Sequence, residues 1–158
     1  MDSEAKKKVL RMINYGMYIL SSRADTHLAA ATVNWLSQAS FTPPLVMVGL
    51  KVDSDTFATV KRSRHFVVNI LGKNQKELAQ DFFKASSVEG TKINGHEYEN
   101  GKTGGALLKE TPASFECKVT DIVERGDHAV VLGEVLEVNI NREDTPLFMR
   151  ETGWFYGG

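Results

Sequence analysis

The stretch Ala31-Thr32-Val33-Asn34-Trp35-Leu36-Ser37-Gln38, with Phe41-Thr42-Pro43-Pro44 behind it, ends a strand in polar residues where a plain core strand would stay apolar. The proline pair opens the run Leu45-Val46-Met47-Val48-Gly49-Leu50, whose length and β-branched content read as a buried strand. That run leads into Lys51-Val52-Asp53-Ser54-Asp55-Thr56. Ser54 or Asp53 caps a short helix through about Arg62, with Asp55 in its first turn. Exposed amides at a helix start, the hydroxyls of Ser54 and Thr56 and the cation of Lys51 suit a phosphate group. Asp53 and Asp55 compete for the same positive field, so a plain cap beside a surface lysine is the alternative. In the first segment Thr32, Asn34 and Ser37 can hydrogen-bond a heteroaromatic ring, and Trp35 can cover its apolar part. A strand edge with a packed tryptophan is the alternative there.

Working outward, Met17–Ser22 and Leu28–Asn34 read as a hairpin across a turn near Ala24-Asp25, and Phe66–Leu71 as a further strand. Lys73–Lys84 has a helical pattern, with Leu78, Ala79, Phe82 and Phe83 on one side. Residues 85–106 are polar and glycine-rich and read as a long loop. Ser114–Val123 and His128–Ile140 flank the turn Glu124-Arg125-Gly126-Asp127. In the second arm His128, Val130, Leu132, Leu136, Val138 and Ile140 alternate onto one face. Several short strands, two short helices and no βαβ repeat predict an antiparallel barrel with helical additions, in a single domain.

Composition narrows the function. The chain has 158 residues, 42% hydrophobic and 25% charged, which suits one globular domain. Nineteen basic against twenty acidic residues give a net charge of -1, so no basic excess argues for a nucleic-acid partner. Cys117 is the only cysteine, which rules out an internal disulfide and a cysteine-built zinc or iron–sulfur site from this chain alone. It reads as a small buried hydrophobe facing the same way as Phe115 and Val119. His27, His65, His96 and His128 are scattered, so no metal is expected. No stretch reaches the ~20 apolar residues of a membrane span, and Met1–Lys8 lacks a signal-peptide apolar region; a cytoplasmic protein is the expectation.

Taken together and in order, a strand reading Thr-Val-Asn-x-x-Ser, a Pro-Pro pair, an apolar strand and a Ser-x-Thr loop resemble the flavin reductase-like family, the FMN-binding split barrels. The resemblance continues through Phe66–Leu71, Gln75–Phe82 and Gly126-Asp127-His128 before Gly133-Glu134-Val135, over roughly residues 10–156. It implies a mainly β fold, a six-stranded antiparallel split β-barrel of Greek-key type with a few short helices. It also implies a homodimer with FMN near the subunit interface. Carried over residue by residue, Thr32, Val33, Asn34, Trp35, Leu36 and Ser37 would lie along the isoalloxazine and ribityl chain, and Lys51, Ser54 and Thr56 would hold the phosphate. His128 would stand near the ring and the nicotinamide, or simply begin its strand. Phe82, Phe83 and Lys84 would approach from the helix end, or Phe82 and Phe83, at helical spacing, would belong to the core. Trp154, Phe155 and Tyr156 would cover the partner's site or pack on their own barrel. Asn34-Trp35-Leu36-Ser37-Gln38 looks closest to the flavoredoxin and NADH:rubredoxin oxidoreductase branch.

The activity implied is hydride transfer from NADH or NADPH to bound FMN, and onward electron transfer to a separate rubredoxin, another acceptor or free flavin. The flavin does the chemistry and the protein orients it, which suits a chain without a triad or paired carboxylates. No GxGxxG turn occurs, so a Rossmann-type nicotinamide site is not expected. The alternatives are a non-catalytic FMN electron carrier and a split barrel binding haem or another ligand.

Overall fold

The computed structural model describes residues 1–158. In chain order the elements are α1 (Ser3–Leu10), β1 (Tyr18–Ala24), β2 (His27–Val33), β3 (Leu36–Ser40), β4 (Leu45–Lys51), α2 (Asp55–Ser63), β5 (His65–Ile70), α3 (Lys76–Asp81), β6 (Val88–Glu89), β7 (Lys92–Ile93), β8 (His96–Asn100), β9 (Ala106–Leu108), β10 (Ala113–Glu124), β11 (His128–Ile140) and α4 (Met149–Thr152). No helix is long and apolar enough to cross a membrane.

β2, β1, β5, β10, β11, β4 and β3 pair in that order as one seven-stranded sheet, antiparallel throughout, one strand more than the six expected. β2 and β3 are the two ends of this order, yet only Asn34 and Trp35 separate them in the chain. A two-residue link between opposite edges forces the sheet to curl, which makes the barrel. The Trp35 carbonyl accepts from Gly49 N at 2.8 Å and holds the link against β4.

β1 and β5 are buried on both faces. Leu20, Phe66 and Val68 point into the barrel with Val48, Val131 and Phe57 of α2, whereas Ile19 points outward against Leu28, Leu71 and Phe82. Something must cover that outer face, and residues 88–108 do so. The expected loop over 85–106 is instead a small antiparallel sheet, β6-β7-β8-β9. Ile93, Ala106 and Leu108 are its buried apolar contribution. Buried Asn69 donates to the carbonyls of Ile19 and Ala106 and accepts from Leu108 N, and Ser21 Oγ binds both backbone groups of Ala106. These bonds satisfy polar groups that would otherwise be orphaned in the core.

Two expectations shift. The helix expected over 73–84 covers only Lys76–Asp81. The Phe82 and Phe83 amides make tight bonds to the Ala79 and Gln80 carbonyls, and the Ala79 and Phe82 carbonyls also accept from Thr32 Oγ1 at 2.6 Å and Thr32 N at 3.3 Å, which ties the helix end to β2. The alternation read on β11 does not keep one face: Ala129 and Val131 are buried, Val138 is 74% and Ile140 77% exposed, and a bulge at Leu136 shifts the register with β10 between Val135 and Glu137. Gly133 also faces inward, where a Cβ would stand 2.6 Å from the Phe66 ring. Cys117 is fully buried as expected, and burial pushes its thiol up to about 12.

Candidate functional site

The ends of β2 and β4, the start of α2, the start of β11 and the chain after α4 converge on one cavity of about 540 Å³. That lies within the ~300–1,000 Å³ usual for small-molecule sites. Its lining is mostly apolar, with polar groups concentrated at two places.

The first is the start of α2. Ser54 is its N-cap: Oγ accepts from Phe57 N at 3.1 Å and donates to the Lys51 carbonyl at 2.7 Å. The remaining first-turn amides have no intrahelical acceptor and carry the positive end of the helix dipole. Thr56 is buried, lines the cavity and has its hydroxyl engaged by no other protein group. The two carboxylates that oppose an anion are each engaged by a neighbouring nitrogen. Asp55 lies 2.9 Å from His27 Nε2, and Asp53 lies 3.1 Å from Lys51 Nζ. The Asp53 hydrogen bond and charge hold the Lys51 ammonium above its ordinary pKa, so it stays charged.

The second is the start of β11. His128 Nδ1 lies 3.0 Å from Asp127 Oδ1, and Nε2 lies 2.8 Å from the Tyr156 hydroxyl. The bond to His128 holds the Asp127 carboxyl below its ordinary value. The Trp35 ring packs on both aromatic neighbours, with centroids 4.5 Å from His128 and 5.5 Å from Tyr156. Its buried indole N–H finds no partner in the protein.

Of the residues expected at the site, the structure brings Thr32, Val33, Asn34, Lys51, Ser54, Thr56, Phe83 and His128 to this cavity. Trp35, Leu36, Ser37 and Lys84 are not in its wall. Leu36 and Ser37 belong to β3, which pairs along β4 and leads away from the mouth; Ser37 Oγ bonds the Gln38 carbonyl. Trp35 stands behind His128 rather than over the cavity. The hydroxyl of Thr32 is spent on Ala79, and the Asn34 amide donates to Met149 Sδ at 2.9 Å, so neither is idle. Trp154, Phe155 and Tyr156 line the cavity of their own barrel. Trp154 packs on Phe83 with centroids 4.9 Å apart, and Gly157 accepts from Arg11 Nε at 3.1 Å. Sequence reasoning missed Met149, which carries no local signal. The aromatic run Trp154-Phe155-Tyr156 was a signal without an address.

The flavin reductase-like domain model matches residues 10–156. The reductase component of 4-nitrophenol 4-monooxygenase/4-nitrocatechol 2-monooxygenase from Rhodococcus opacus is 29% identical over 137 residues, covering 87% of this chain and 72% of that protein. The ferric-chelate reductase (NAD(P)H) of Archaeoglobus fulgidus is 31% identical over 145 residues, covering 90% and 83%. Other relatives are much longer: the chain spans 28% of Diflavin flavoprotein A 1 from Synechocystis sp.. Among solved structures, flavin reductase PheA2 superposes with a TM-score of 0.79 at 25% identity, covering 94% of this chain and 93% of that one. Flavin reductase HpaC complexed with NADP+ gives 0.77 at 27% identity, covering 93% and 92%. The chain belongs to the flavin reductase-like domain family and is an NAD(P)H-dependent flavin reductase.

Proposed function

We propose that the cavity binds FMN, with its phosphate at the start of α2 and its ring between the end of β2 and His128. The observation that carries this reading is the pairing of free first-turn amides, the Thr56 hydroxyl and the Lys51 cation at one end of a mostly apolar cavity of about 540 Å³. When bound, the flavin supplies the hydride-accepting and electron-passing chemistry. The chain's own residues bind and orient. Lys51 leaves Asp53 for the phosphate, Thr56 donates to it, and His27 keeps the Asp55 carboxylate turned away. Val33, Phe83 and the backbone of Thr32 and Asn34 flank the ring and ribityl chain. His128 presents its imidazole to the nicotinamide of NADH or NADPH.

A homodimer is part of the same reading. Val130, Leu136, Val138 and Ile140 are exposed apolar side chains along β11, more than a surface strand carries without a partner. The flavoredoxin-like branch makes a separate rubredoxin the first electron acceptor to try, with free flavin the second. A cytoplasmic location follows from the NAD(P)H donor.

The test is the visible spectrum of the purified protein with identification of the released ligand, then NADH and NADPH oxidation with flavin or rubredoxin added. A yellow protein releasing FMN and turning over nicotinamide is expected. A colourless protein that leaves FMN fluorescence unquenched sinks the cofactor assignment, and a yellow protein with no turnover makes it an electron carrier.

A further inference from the structure

The residue at this site with the least obvious purpose is Tyr156. It comes from the irregular segment after α4, lines the cavity, and lies half-exposed with its ring edge-on to both Trp35 and His128. Its hydroxyl is 2.8 Å from His128 Nε2. On the other side of the imidazole, Nδ1 faces the Asp127 carboxylate at 3.0 Å. An ionised carboxylate only accepts hydrogen bonds, so Nδ1 carries a proton and neutral His128 has Nε2 as its acceptor. The Tyr156 O–H therefore donates to it.

The segment that delivers Tyr156 is itself fixed. Lys76 Nζ sits 5.0 Å from the centroid of the Trp154 ring, Arg11 Cζ sits 5.1 Å from that of Phe155, and the Gly157 carbonyl accepts from Arg11. A Cβ on Gly157 would meet the Trp35 ring at 2.8 Å, so backbone lies directly on that indole. Every charged or titratable group that bears on the pair can be named: Asp127 from the turn before β11, and Lys51 and Asp53 at the end of β4. Burial raises the phenol above its ordinary pKa of 10.0, so it keeps its proton in the neutral range.

We propose that Tyr156 is a positioning residue for the reductase reaction, holding His128 in one tautomer and one ring orientation at the cavity wall, opposite Asp127. The proposal rests on the reading of His128 as the residue presented to the nicotinamide. It adds a consequence that reading lacks. When His128 takes up a proton, Nε2 becomes a donor, the bond to Tyr156 reverses, and the phenolic O–H is released toward the cavity. Donor binding then depends on pH through both residues.

The experiment is Tyr156→Phe, which keeps the ring and removes only the hydroxyl. Nitrogen NMR of the imidazole in the ligand-free protein reads the contact directly. Wild type is expected to show His128 as the Nδ1–H tautomer with a hydrogen-bonded Nε2, and the variant an Nε2 free of that bond. In steady state KM for the nicotinamide is expected to rise about two- to tenfold, the worth of one neutral hydrogen bond. FMN affinity, read by fluorescence quenching, is expected to stay unchanged, and the pH profile of kcat/KM to shift. An Nε2 resonance that does not move between wild type and variant overturns the proposal whatever the activity. A variant whose KM and pH profile match wild type also overturns it. A wild-type protein that oxidises no nicotinamide overturns the reading of the site, and the positioning role with it, through a separate measurement.

Discussion

Trp35 and His128 lie with ring centroids 4.5 Å apart and planes tilted by 47°, one from the link between two sheet edges and the other from the first residue of β11. The contact exists only because the sheet curls until that link meets β4 and β11. The same packing leaves the Trp35 indole N–H buried without a partner.

Opposite terms at Trp35 predict unequal effects of two substitutions. Trp35→Phe loses apolar area but removes a buried donor whose desolvation costs about 1–3 kcal/mol, so stability should change by less than about 1 kcal/mol. Trp35→Ala also leaves a void beside His128, Tyr156 and Gly49 and should cost about 3 kcal/mol or more. Urea unfolding followed by circular dichroism measures both; equal losses would show that the orphaned N–H has no energetic weight.

Thr56→Val isolates the phosphate contact, because Ser54 also caps α2 and its removal would disturb the helix itself. FMN affinity should fall by about 1.5–3 kcal/mol, the worth of a hydrogen bond to a charged group. Riboflavin, which has no phosphate, should bind the variant and the wild type alike. Fluorescence titration of both ligands decides it, and an equal loss for the two would move the phosphate elsewhere.

Cys117 makes stability fall in alkali. Burial, helped by the nearby Glu116 charge, raises the folded thiol from an ordinary 9.0 to about 12. A raised folded pKa means a contribution fully present below the unfolded value and lost as pH climbs from there through about 12. Urea midpoints across that window should drop more steeply for wild type than for Cys117→Ala. In the folded protein near neutral pH the thiol should resist iodoacetamide, since thiolate is the reactive form.

Val138→Glu combined with Ile140→Glu places two charges on the exposed apolar end of β11. Sedimentation should find wild type as a dimer and the double variant as a monomer with unchanged far-ultraviolet circular dichroism. A monomeric wild type would remove the dimer from the functional reading.

Much of the fold was legible because its signals are local. Apolar alternation marked β10 and β11, short strand-like runs and a turn marked β1, β2 and β5, the continuous run Leu45–Leu50 marked β4, and Ser54 announced α2. The sheet over 88–108 was not read, although Asn94 and Gly95, with φ of 50° and 90°, form the left-handed pair that a tight hairpin requires. Its strands are too short and polar to show a period, and they exist because β1 and β5 need an outer cover.

The site divides the same way. Residue order alone placed Lys51, Ser54 and Thr56 at one strand end and helix start, since a cap and its neighbours are bound by a few covalent links. Order could not say that β3 carries Leu36 and Ser37 away from the cavity. Nor could it say that α3 ends at Asp81 with Lys84 left outside the wall, or that Tyr156 returns to His128. Those outcomes depend on which surfaces remain to be buried once the sheet has curled. Alternation tells a strand that it has two faces; only the packed barrel decides which of them meets water.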